Sequence, residues 1–100
     1  PNLKGICNLA GYAGEIGHAV LERQRCIRMV CYDTTADVEA LIEKGIVEFC
    51  IGLEPIQQAH IIADTLHRYL ILGQSPAAPF VETPIAIAFD ENIRTLLNPV

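Results

Sequence analysis

One hundred residues with 51% hydrophobic side chains, 19% charged and a net charge of −5 describe one domain at most, too apolar to stay disordered. At this length folding removes only about 60–65% of the unfolded surface from water, so the core is modest. Seven scattered Lys and Arg against twelve Asp and Glu exclude a chain that itself grips phosphate backbones.

The chain opens on Pro1 and its sole methionine is Met29, which reads as a processed or excised piece. It carries no basic-then-apolar leader and no apolar run long enough to span a bilayer, so no membrane association is expected.

Hydrophobic period and Gly/Pro punctuation set a regular alternation. Leu3–Leu9 reads as a short strand, broken by Gly11 and Gly14. A helical pattern runs from about Ala13 to Gln24, with Ile16, Ala19, Val20 and Arg23 at helical spacing. Ile27–Tyr32 is a buried-type strand. Thr34 or Thr35 caps a helix over Ala36–Lys44, with Asp37 and Glu39 at its positive end and Gly45 as its stop. Val47–Gly52 is the third strand. Pro55 opens the longest helix, to Leu72, with Gly73 beyond it. Its Ile56, Ala59, Ile62, Ala63, Leu66 and Leu70 form one apolar stripe expected in the core. Gln74–Pro79 is a loop and Val81–Phe89 a fourth strand, demoted by Pro84 to an edge or a broken strand. Asp90–Leu97 is a terminal turn or helix. The order β-α-β-α-β-α-β predicts an α/β fold: a parallel sheet, right-handed crossovers and helices on both faces, with residues 1–100 as a single piece.

Ligands of open parallel sheets gather outside the carboxyl ends of the strands. Asn8, Asp33 and Glu54 close the first three strands, and Tyr12 and Tyr32 lie beside the first two. Amides and carboxylates bond hydroxyls, and aromatic rings cover the apolar faces of a sugar. Helix capping accounts for Asp33 or Glu54 taken singly; their convergence with Asn8 favours a binding cleft. Gly11, Gly14 and Gly17 ahead of Asp33 imitate a dinucleotide loop, but Tyr12 stands where the tight-turn glycine belongs. A nucleotide-dependent enzyme is therefore the weakest reading. No serine elbow, P-loop or catalytic carboxylate pair appears, and no catalytic residue or cofactor is assigned. His18, His60 and His67 sit in helical patterns without metal-ligand spacing, so no metal is expected. Cys7, Cys31 and Cys50 lie in strand-like runs and read as buried core thiols, ahead of a zinc site or a redox pair. With Cys26 they make four free thiols, which fits a cytoplasmic protein.

From Cys26 onward the chain resembles the C-terminal part of the periplasmic-binding-protein-like effector domain of LacI-type regulators and sugar-binding proteins. Ile27–Asp33 stands in the place of the family's "vvGFD" strand, Ile42-Glu43-Lys44-Gly45 precedes the next strand, and Cys50–Pro55 takes the place of "tIxQxP". Tyr69–Pro76 looks like an "L-x-G-x-x-P" helix end, Pro84–Ile93 like the closing "P…I…xENI" run, and Pro1–Leu21 like the strand and glycine-spaced helix before them. The resemblance implies part of the second lobe of a clamshell that closes on a small ligand, usually a sugar or polyol. It makes Asp33 a hydroxyl-bonding residue, with Asn8 and Tyr12 in a contact loop. Leu53 replaces a usual ligand-binding Gln and Cys31 the Gly of "GFD"; Ala59 replaces a usual Gly. Glu54 would supply the polar contact that Leu53 lacks. The implied function is effector binding by a homodimeric regulator whose DNA-binding head lies outside these residues. The alternative is an extracytoplasmic sugar receptor of a transport system.

Overall fold

The computed structural model describes residues 2–98. Eight elements follow in order: β1 (Gly5–Asn8), α1 (Ala13–Glu22), β2 (Arg28–Tyr32), α2 (Ala36–Glu43), β3 (Val47–Gly52), α3 (Pro55–Leu72), β4 (Ala86–Ala88) and α4 (Ile93–Leu97). The expected alternation holds throughout. The chain divides into two compact units, one of residues up to Gly52 together with those from Ala86 on, the other Leu53–Ile85.

In the first unit the sheet order is β1-β2-β3-β4. β1 to β3 run parallel, joined by α1 and α2, whereas β4 pairs antiparallel with β3. The fully parallel sheet expected from the sequence is thus a mixed one, and the fourth strand shrinks from Val81–Phe89 to three residues. Pro84 lacks the N–H that a longer ladder would need, and β4 takes the edge position predicted for it. Helices α1 and α2 pack on each other, α2 packs on α4, and together they cover one sheet face.

The core lies under that helix layer: Met29, Cys31, Val38, Leu41, Val47, Cys50, Ala88 and Ile93 are all buried. A local irregularity aligns it. Met29 pairs with Val47 but Val30 with Phe49, so Glu48 is an extra residue in β3. In a regular strand Val47 and Cys50, three apart, would face opposite sides. The bulge turns both into the core. The opposite sheet face carries Cys7, Val30 and Phe49, with Phe89 tilted at 44° against Phe49 at 5.6 Å between ring centroids. Cys7 is exposed there, contrary to its expected burial: it lies on the edge strand and on the face that α1, α2 and α4 do not cover. Cys31 and Cys50 are buried as expected, and Cys26 is exposed.

In the second unit α3 begins at Pro55 and ends at Gly73, whose φ of 67° a glycine adopts without a Cβ clash. No α3 residue is buried. The stripe expected in the core is therefore open: Ile56, Ile62, Leu66 and Leu70 are all exposed. The half-covered line is Gln58, Ile61 and Thr65, which with Ile62 and Leu66 faces the returning segment at Val81 and Thr83. Gln58 fastens this unit, its Nε2 donating to the Leu53 carbonyl and to Thr83 Oγ1 (3.4 Å). No described helix is long and apolar enough to cross a membrane.

Candidate functional site

Parallel β-α units bring the carboxyl ends of their strands and the N-termini of their helices to one edge. At that edge Tyr12, Tyr32 and Asp33 line a cleft of about 160 Å³ with Glu15, Thr35 and Asp37. Tyr12 is the residue before α1, with φ at 68°, and its ring is 78% exposed. Asp33 follows β2 with φ at 73°, and its N–H donates to the Ile51 carbonyl (2.9 Å), so the sheet itself holds the turn. Left-handed backbone costs a non-glycine residue roughly 1–2 kcal/mol. Among the described residues Tyr12, Gln24, Asp33 and Glu54 adopt it without being glycine, and Tyr12 and Asp33 line the cleft. Thr35 caps α2, accepting from the Val38 N–H at 3.3 Å.

Asn8 acts one step behind the cleft. Its Nδ2 donates to the carbonyls of Ala10 (2.9 Å) and Gly11 (3.1 Å), and its Oδ1 accepts from the Ala10 N–H (3.4 Å). Both amide protons are thereby used to fold the loop that presents Tyr12. Leu53 and Glu54 belong to the second unit. Glu54 precedes α3 with φ at 49°, its carbonyl accepting from the Gln58 N–H (3.0 Å), while its side chain makes no capping bond. Leu53 is partly exposed beside it.

The glycine spacing that imitates a nucleotide loop has a packing cause. A Cβ on Gly17 would lie 2.3 Å from Leu41 Cδ1, and one on Gly14 would lie 3.3 Å from the Asp37 side chain. Both glycines let α1 approach α2, and Gly11 faces open space. The turn where a nucleotide loop needs glycine is occupied by left-handed Tyr12.

Sequence reasoning missed Glu15 and Asp37 as cleft residues. Asp37 was assigned to the helix dipole alone. The signal was present, because first-turn residues of consecutive crossover helices share the edge to which the strand ends point. The lining therefore holds three carboxylates, Glu15, Asp33 and Asp37, and no Lys, Arg or His. The positive ends of α1 and α2, each worth about half an elementary charge, offset only part of this. The cleft suits hydroxyl donors and an apolar ring face, and repels anions. His18, His60 and His67 are exposed. Among the described residues no three His, Cys, Asp or Glu side chains gather closely enough to hold a metal ion.

No protein-family model and no curated protein sequence matches the chain. Solved structures do. A protein from Bacteroides fragilis named as a LacI transcriptional regulator superposes with a TM-score of 0.83 at 24% identity, covering 94% of this chain and 33% of that one. GanP, a glucose-galactose binding protein from Geobacillus stearothermophilus, gives 0.80 at 12% identity over 92% of this chain and 33% of its own. A carbohydrate transporter from Acidothermus cellulolyticus 11B, solved with myo-inositol, gives 0.77 at 19% identity over 93% and 33%. The chain therefore has the α/β fold of a periplasmic-binding-protein-like lobe, and it spans 33% of the length of each of these structures.

Proposed function

We propose that this chain is part of the effector-binding domain of a cytoplasmic LacI-type regulator that takes an uncharged sugar or polyol. The observation that carries the ligand class is the cleft at the strand ends. It offers an exposed aromatic ring at Tyr12, a carboxylate acceptor at Asp33 and no basic group in its lining. Asp33 accepts from ligand hydroxyls and Tyr12 covers the ring face, while Asn8 holds the loop that presents Tyr12. Ligand binding shifts a two-state equilibrium of the intact homodimer and so alters the spacing of its DNA-binding heads. Support for this framework is the shared fold with a protein named as a LacI regulator.

The test is calorimetric titration of the intact protein with glucose, galactose, ribose, myo-inositol and a hexose phosphate. Binding of a neutral member and rejection of the phosphate is expected. Preference for the phosphate, or binding of none, overturns the reading. A second reading, a sugar receptor of a transport system, draws on the likeness to a glucose-galactose binding protein and a carbohydrate transporter. Retention of genomic DNA fragments by the intact protein, released by ligand, separates the two.

A further inference from the structure

Two cysteines with no part in the proposed ligand contacts sit side by side beneath them. Cys31 and Cys50 are register partners on adjacent parallel strands. Both point into the core under α2, at 2% and 0% exposure. Neighbouring strands lie about 4.8 Å apart, inside the window of about 4.4–6.8 Å that disulfides span between Cα atoms. The neighbouring Cys50 thiol and then burial push Cys31 up, whereas the neighbouring Cys31 thiol pulls Cys50 down against its own burial, leaving Cys50 the readier thiolate. Asp33, two residues past Cys31, disfavours the ionised form of both.

We propose that Cys31 and Cys50 form a reversible disulfide that fastens β2 to β3 directly beneath the Tyr32–Asp33 corner. The oxidant is a small peroxide. Cys50 Sγ attacks one peroxide oxygen and the O–O bond breaks, giving a sulfenic acid on Cys50 and one water. Cys31 Sγ then attacks Cys50 Sγ. The S–S bond forms, the S–O bond breaks and a second water leaves with the Cys31 proton. The two thiols lose two electrons and two hydrogens, and hydrogen peroxide becomes two waters. Access runs past β4. Cys50 pairs with Ala88 in a strand of three residues, so the shortest ladder in the sheet is the cover that opens most readily.

In the intact protein, Cys7→Ser and Cys26→Ser remove the exposed thiols among the described residues and leave the core untouched. Peroxide treatment followed by non-reducing digestion is expected to give a peptide linking Cys31 to Cys50, with the loss of two hydrogens by mass and full reversal by dithiothreitol. Cys31 and Cys50 both recovered as free thiols after peroxide, read by alkylation and peptide mass, overturn the proposal, as does a linkage formed only in denaturant. Cys31→Ser and Cys50→Ala variants serve as controls, each expected to give no linked peptide. These readouts need no ligand, so they are independent of the proposed sugar site. Where that site binds, oxidation is expected to change its affinity at least severalfold. Unchanged affinity in the fully linked protein sinks the coupling to the corner.

Discussion

Tyr12 and Asp33 hold left-handed backbone that glycine would adopt without strain. Tyr12→Gly is therefore expected to keep or raise stability, by up to about 1 kcal/mol, while weakening the ligand. A thermal-unfolding scan paired with calorimetry reads both effects, and a mutant that loses stability with intact affinity would make Tyr12 structural. Asp33→Ala removes charged acceptors worth about 1.5–3 kcal/mol each, hence roughly tenfold to a hundredfold in affinity, with folding kept. Titration of the folded mutant checks it. Gly14 and Gly17 separate by what their missing Cβ would meet. Leu41 is 1% exposed and has nowhere to move, so Gly17→Ala costs about 1–3 kcal/mol by overpacking. At Gly14 the neighbour is a carboxylate arm that can give way, and alanine's helix preference of about 1 kcal/mol makes Gly14→Ala neutral or stabilising. The denaturant midpoint should fall below the parent for Gly17→Ala and at or above it for Gly14→Ala.

Elements owe their existence to local signals and their roles to neighbours. β3 has the apolar run of a buried strand, but its one-residue bulge at Glu48 is what lets Val47 and Cys50 share a face. α2 is capped by Thr35, one of the two threonines that the sequence offered. Arg94 on α4 reaches Glu39 (3.0 Å) and Glu43 on α2 across the surface, and pairs of this exposed kind add little. In the second unit Gln58 joins the start of α3 to Thr83 in the returning segment. Gln58→Ala is expected to speed amide exchange across 81–85 while leaving β1 to β3 unchanged. Exchange mapped by mass spectrometry reads this directly, and equal protection in the two proteins would show that Ile61, Leu66 and Val81 hold the segment without it.

At the scale of the molecule, the strand order and helix placement bring three carboxylates and two tyrosines to one edge, and the proposed ligand class rests on the charge of that edge. A neutral polyol is expected to bind and its phosphate ester to be rejected, as competitive calorimetry would show. The order of elements, a threonine cap at 34 or 35, the start at Pro55 and the stop at Gly73 were all determined by the sequence itself. Each depends on contacts within a turn or two of chain, so the residues that decide it are adjacent in sequence. Asp33, Tyr12 and Tyr32 were legible as cleft residues for the same reason, since a β-α junction places them by local geometry. What only tertiary structure decided concerns partners distant in sequence. The antiparallel pairing of β4, the exposure of Cys7 and of the α3 stripe, the entry of Glu15 and Asp37 into the cleft, and the pairing of Cys31 with Cys50 all depend on it. Hydrophobic period states that a residue has an apolar face toward something. It does not state toward what, because burial is a property of the surface that arrives from elsewhere in the fold.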